Sequence, residues 1–177
     1  MILKIVSLIG LAIVGILIYA AMMPSDFSIS RELKIKASAE TLFPYINNSK
    51  MSNDWMPWKK SDPDAEMIYT GPAEGVGAKT SWDSKGRMGK GQALVVESVP
   101  QVSVKTELTY TRPMEMSQIA EVSLHPVADG TIVRWTVTGQ NSFIGRVFCI
   151  FMNMDKMVGS QFEEGLATLK QIAEARP

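Results

Sequence analysis

The stretch GPAEGVGAKTSW, from Gly71 to Trp82, carries the residue types of a phosphate-binding loop, with closely spaced glycines followed by Lys79 and Thr80. In such a loop, G-x-x-x-x-G-K-[ST], glycines let backbone N–H groups close on phosphate oxygens while the lysine reaches the outer phosphates. Set on Lys79 and Thr80, the pattern needs glycine at positions 73 and 78, where the chain has Ala73 and Ala78. A phosphate loop must also open a helix. Here Ala78, Thr80 and Trp82 alternate with Lys79, Ser81 and Asp83, which is the period of a strand. Nucleotide chemistry is therefore not expected, and Gly71, Gly75 and Gly77 read as turn and bulge residues feeding a curved strand.

Acid–base chemistry has few candidates. His125 is the one histidine, and it stands before Pro126 on the phase opposite Val122 and Leu124, so it is expected to face outward. Without it no Ser-His-Asp set, Cys-His pair or metal cluster assembles, and the block of possible ligands yields neither a metal site nor a cofactor. Glu97 is in phase with Val95 and could be a buried carboxylate, although glutamates at strand ends more often serve solubility. Glu163, Glu164 and Asp155 read first as the wet face of a helix. Lys79, Lys85, Arg87 and Lys90 gather toward one hairpin tip and could meet anionic head groups, with a solvated hairpin as the plainer account.

These residues must be positioned by the elements of a 177-residue chain, long enough for one domain that buries a core and encloses a cavity. Lysine plus arginine equals aspartate plus glutamate at 18 each, so no overall field points to nucleic acid, and none is expected as a partner. A single cysteine, Cys149, excludes an internal disulfide. Twelve methionines suit apolar surfaces that adapt to variable shapes, as well as ordinary core filling. Residues 1–24 hold the uncharged run IVSLIGLAIVGILIYAAMM, which with Ile2 and Leu3 reaches the roughly twenty residues that span a bilayer. Tyr19-Ala20-Ala21-Met22-Met23-Pro24 makes a poor cleavage site, so an uncleaved single-pass anchor is expected rather than a signal peptide. An anchor at the extreme N-terminus usually enters with that terminus inside, which would leave the domain of residues 25–177 extracytoplasmic, though Arg31, Lys34 and Lys36 oppose that orientation.

After Pro24, the odd positions Phe27, Ile29, Leu33 and Ile35 predict a half-buried strand. Ser38 is placed to cap a short helix bearing Leu42, Phe43 and Ile46, tolerating Pro44 only if short or kinked, and a second short helix follows before Lys60. From Met67 to Thr138 the period is two, with turn signals that predict a meander of about six strands. Thereafter Val147, Ile150, Phe151, Met154, Met157, Val158, Phe162, Leu166, Leu169 and Ile172 form one helical stripe, read as a helix of roughly thirty residues. Gly159 and Gly165 interrupt it, where something approaches the backbone or the helix bends.

Strand, two short helices, six-strand meander and long C-terminal helix make an α+β helix-grip arrangement, a curved antiparallel sheet of about seven strands around the last helix. With the blocks Ala37-Ser38-Ala39-Glu40-Thr41-Leu42-Phe43, Trp55-Met56-Pro57-Trp58 with Asp62-Pro63, Tyr69-Thr70-Gly71, Gly89-Lys90-Gly91 and Asp129-Gly130-Thr131 with Trp135, and the helix ending through Asp155 to Leu166, the chain resembles the polyketide cyclase-like branch of the START-related SRPBCC superfamily. The resemblance implies a deep apolar cavity between sheet and helix, holding a lipid or another hydrophobic small molecule. In a minority of members it implies cyclisation or dehydration there. If the sheet curls so, alternation turns Thr80, Trp82, the even positions from Val102 through Thr106 to Tyr110, Gln118 and Trp135 toward that cavity, and the helix adds Phe151, Met154, Val158 and Phe162. The leading expectation is a membrane-anchored binding protein without catalytic machinery. Its alternatives are a cyclase or dehydratase using Tyr110, Glu97 or Gln118, and a filled core that binds a protein partner. Trp55 and Trp58 are placed to close one cavity end, to touch the membrane, or to pack the short helices on the sheet.

Overall fold

The computed structural model describes residues 2–86 and 88–175. A 21-residue helix, α1 (Ile2–Met22), leads after three residues into β1 (Asp26–Ile35). Its span Lys4–Met22 is long and apolar enough to cross a membrane, a test that a signal sequence also passes. Most of its described side chains are exposed, and Ala20 is buried.

Three short helices follow. In α2 (Ala39–Asn47) the Ser38 hydroxyl accepts from the Thr41 N–H at 3.1 Å, satisfying an amide that the first turn leaves unpaired. The helix is nine residues long, which confines the hydrogen bond lost at Pro44 to a single turn. Asn48 caps α3 (Ser49–Trp55) by accepting from the Lys50 and Met51 amides, and α4 is the single turn Trp58–Ser61.

The meander consists of β2 (Glu66–Thr70), β3 (Lys79–Asp83), β4 (Lys90–Val99), β5 (Ser103–Arg112), β6 (Met116–Val127) and β7 (Gly130–Gln140). Every neighbouring pair is antiparallel, and the order β1-β7-β6-β5-β4-β3-β2 returns the first strand to the side of the last. Gly71, Gly75 and Gly77 all have positive φ in the segment between β2 and β3, where a Cβ on Gly71 would stand 2.4 Å from the Gly77 carbonyl oxygen. A strand follows these glycines, so the helix N-terminus that a phosphate loop requires is not formed.

The C-terminal apolar stripe is not one helix. It is split into α5 (Phe143–Phe151) and α6 (Met154–Glu174), because Asn153 leaves helical geometry and its side chain accepts from the Lys156 N–H at 2.9 Å. Asp155 then occupies the positive first turn of α6. At 1.5 Å per residue the 21 residues of α6 extend about 30 Å, enough to cross the sheet. The core lies between α6, α2 and the concave sheet face, with Leu42, Ile35, Val133, Leu166 and Leu169 almost wholly buried.

Both helix glycines stand where another group presses on the backbone. A Cβ at Gly165 would meet the Trp135 ring at 3.0 Å, and one at Gly159 would lie 2.1 Å from the Arg31 guanidinium. Arg31 occupies an inward position of β1 and lies across α6, donating from Nε to Glu163 at 2.8 Å and from Nη2 to the Asp155 carboxylate at 2.9 Å. Its guanidinium holds the Asp155 carboxyl below the usual range and is itself held more firmly protonated.

Candidate functional site

Strand pairing lays the inward-facing side chains in rows across the sheet. One row runs Met67, Trp82, Gly91, Tyr110 and Met116, and the next runs Thr80, Ala93, Leu108 and Gln118. A third joins Thr106 to Ala120 and Val137. The middle of each row is small: Gly91 and Ala93 on β4, Ala120 on β6. Bulk is placed at the margins by Trp82, Trp135 and Phe162. That distribution leaves a cavity of about 650 Å³ between the sheet and α6, so the core is not filled. Pockets that enclose drug-sized apolar molecules are of this order, about 300–1,000 Å³.

Thr80, Trp82, Thr106, Tyr110, Gln118, Trp135, Met154, Val158 and Phe162 all line it. Phe151 is not brought together with them: it ends α5, is 68% exposed and points away from the cavity wall. Val102, on the same sequence phase as Thr106, belongs to the β4–β5 turn and is exposed, since β5 begins only at Ser103.

At one end, the Trp82 indole N–H donates to the Met88 carbonyl at 3.1 Å and the ring meets Tyr110 edge-on, with centroids 5.5 Å apart. Gly91 makes this possible, because a Cβ there would come within 2.6 Å of both the Trp82 ring and the Thr109 carbonyl oxygen. At the other end Trp135 stacks on Phe162 at 4.1 Å and receives Trp55 and Trp58 edge-on at 5.1 and 6.2 Å. Trp55 is buried with its N–H donating to the Tyr45 carbonyl, so it packs α3 onto the sheet, whereas Trp58 lines the cavity itself.

Polar groups on the sheet part of the wall are Ser28, Thr80, Thr106, Tyr110 and Gln118, and the helices and loops add Asn47, Ser49, Ser52, Asn53, Asn141, Asp155 and Gln161. The hydroxyls of Thr80, Thr106 and Tyr110 donate to and accept from no described residue, and burial pushes the Tyr110 phenol above its usual range. Gln118 donates weakly to the Met116 sulfur at 3.1 Å. The three hydroxyls can orient a guest; they do not hold each other.

Glu97 is not part of this wall. A register shift between Val95 and Glu97 reverses the strand's phase, so Glu97 turns out to an exposed ion pair with Lys105 at 3.1 Å. His125 is exposed beside Ser123. Among the described residues no three His, Cys, Asp or Glu side chains are grouped to hold a metal ion. The basic hairpin tip is also rearranged. Lys79 begins β3, at the end away from the turn, and Lys90 is paired with Asp83 at 2.8 Å, while Arg87 lies outside the described residues.

Sequence reasoning missed several wall residues. Met56, Met67 and Met88 face the cavity beside Met116 and the expected Met154, as do Asn47 and Cys149. The surplus of methionine was the available signal, without a position attached. Met88 is set in place by Asp62, a buried carboxylate that accepts from the Ser84 hydroxyl at 2.5 Å and the Met88 N–H at 3.2 Å.

Residues 26–174 match the family described as "Polyketide cyclase / dehydrase and lipid transport". No curated protein matches the chain. Among solved structures, protein CV1439 from Chromobacterium violaceum is 14% identical, with 83% of this chain and 96% of that one covered and a TM-score of 0.61. The Aha1 dimer from Colwellia psychrerythraea is 19% identical, covering 84% and 96%, with a TM-score of 0.59. The di-domain ARO/CYC StfQ from the steffimycin biosynthetic pathway is 10% identical over 86% of this chain and 52% of that one, with a TM-score of 0.62. At these identities the likeness is one of fold.

Proposed function

We propose, for a chain that belongs to the polyketide cyclase / dehydrase and lipid transport family, that residues 1–24 anchor a binding domain of residues 25–177 which holds a hydrophobic small molecule or lipid in its cavity. The observation that carries this reading is the wall itself: about 650 Å³ of space, five methionines that can repack around different guests, and three hydroxyls that bond to no described residue. The exposed apolar surface of α1 supports the anchor, since a helix of that composition is satisfied by acyl chains and not by water. Thr80, Thr106 and Tyr110 would orient the guest, and Trp82, Trp135, Met154, Val158 and Phe162 would enclose it.

A cavity-filling variant tests the proposal directly. Ala93→Phe or Ala120→Phe puts a ring into the small middle of the sheet rows, where there is space to receive it. The full chain and each variant would be purified in the same nonionic detergent and their extractable small molecules compared by mass spectrometry. The proposal expects a lipid-like molecule with the parent chain and its loss from a variant whose thermal unfolding is preserved. Equal amounts on both would assign the molecule to the anchor surface and overturn the cavity reading.

A second reading rests on Tyr110, a phenol on the cavity wall whose pKa burial raises. In a cyclase or dehydratase it would act as general acid, and Tyr110→Phe would abolish turnover while leaving guest retention intact. Unchanged turnover in that variant would remove the reading.

A further inference from the structure

The short helix α5 has no buried residue and one charge, Arg146. Phe143, Ile144, Phe148 and Phe151 recur at the spacing of a single helical face, and all four are exposed, by 42%, 58%, 53% and 68%. So aromatic a face is costly in water. Arg146 covers only the Phe143 ring, 5.7 Å from its centroid, because its guanidinium turns to the end of α1 and donates to the carbonyls of Ala21 and Met23 at 3.2 and 3.0 Å. These are carbonyls that a helix C-terminus leaves without partners.

The position of α5 relative to α1 is also fixed by the sheet. Asp26 pairs with Gln140, and the Asn141 N–H donates to the Ser25 carbonyl at 2.8 Å, so α5 begins beside the point where α1 ends. Met22 and Ser25 are three residues apart, a reach of at most about 10 Å. The polar zone of one leaflet is about 5–8 Å deep. Where α1 leaves the hydrocarbon at Met22, the start of α5 is within that zone or at its edge. The β5–β6 turn reaches the same end, since Gln118 pairs with Gly139, and it adds exposed Met114. The opposite side of α5 supplies Cys149 to the cavity wall, which Asn141 and Met154 also line.

We infer that α5 is a second membrane-contacting element, an interfacial helix that lies with Phe143, Ile144, Phe148 and Phe151 in the phospholipid bilayer spanned by α1 and separates the cavity from that bilayer. This rests on the reading of α1 as an anchor. Amphipathic helices take such a position when a continuous apolar face meets the boundary between head groups and acyl chains. The bilayer, and not a second copy of the chain, is the occupant favoured by the bond between Arg146 and α1, which fixes the apolar face at the level of the span.

The test uses the full chain carrying Cys149→Ser, reconstituted into vesicles of phosphatidylcholine and phosphatidylglycerol, with bimane attached in turn to Phe148→Cys, Ile144→Cys, Leu11→Cys and Ala128→Cys. Quenching is read from nitroxide-labelled phosphatidylcholine at shallow and deep acyl positions and from aqueous iodide. The inference expects shallow nitroxides to quench positions 144 and 148 several-fold more than position 128, and deep nitroxides to quench position 11. Quenching of 144 and 148 by iodide alone, with position 11 still reporting deep lipid, would overturn the inference and leave the anchor standing. Iodide quenching at position 11 as well would overturn both. Protection of 144 and 148 from every quencher, with disulfide cross-linking between Phe148→Cys copies, would replace the bilayer with a second copy.

Discussion

Removing the Tyr110 hydroxyl separates what the residue does for the fold from what it does for a guest. Since the phenol bonds to no described residue, Tyr110→Phe loses no intramolecular hydrogen bond, and a change in stability within about 0.5 kcal/mol is expected in urea unfolding. If the hydroxyl bonds to the guest, affinity for a guest with a polar head falls about tenfold, the equivalent of one hydrogen bond of about 1.4 kcal/mol, while a pure hydrocarbon probe is unaffected. A loss of stability above about 1 kcal/mol with both probes unaffected would make Tyr110 a packing residue. Gly91 behaves in the opposite way. A methyl group there meets the Thr109 backbone at 2.6 Å as well as the Trp82 ring, so Gly91→Ala cannot be absorbed by a flexible side chain. It should cost about 1–3 kcal/mol and shift the near-ultraviolet circular dichroism of Trp82, and an unchanged spectrum at full stability would show that the ring does not cross β4.

Single elements differ in how fully their sequence describes them. Period two in β3, β5 and β6 placed Thr80, Trp82, Thr106, Tyr110 and Gln118 on one side because each strand is regular over those residues. In β4 the same period predicted an inward Glu97 and was defeated by one extra residue at the bulge, a feature set by pairing with β5 and invisible in β4 alone. The resemblance supplied the cavity; alternation supplied its sheet wall; neither supplied Met67, Met88 or Asn47, which reach it from the edge strand β2, the β3–β4 turn and the end of α2, segments placed by tertiary contacts such as Asp62 with Ser84. The split between α5 and α6 was legible in principle. Asn153 followed by Asp155 is a helix start, but the apolar stripe continues through it and periodicity alone reads straight on. Asn153→Ala removes the side-chain acceptor from the Lys156 amide and should lower stability by about 1 kcal/mol in urea unfolding. A neutral result would mean that packing of Met154 and Val158 on the sheet, and not the cap, starts α6.

Across the whole molecule, paired carboxylates tie elements that are far apart in the chain, and they give the fold a defined response to acid. Arg31 on β1 holds Asp155 on α6, Lys90 and Arg112 hold Asp83 at the end of β3, and Lys34 on β1 holds Asp129 in the β6–β7 turn. Each of the three aspartates is held below its usual range by those cations. A carboxyl whose pKa is lower folded than unfolded stabilises the fold above the unfolded value, about 4 for aspartate, and that contribution disappears as pH falls through the lowered value. All three sites are at the surface, so salt weakens them and none is large alone. The Arg31 clasp is the most informative, because it fastens the strand that follows α1 onto the helix that roofs the cavity. Thermal unfolding of the full chain and of Arg31→Met should differ at neutral pH, and the gap should narrow below about pH 4 as Asp155 takes up its proton. A gap that stays constant into strong acid would show that Arg31 stabilises through the packing of its stem across Gly159, and the charge pairing would then have no part in closing β1 onto α6.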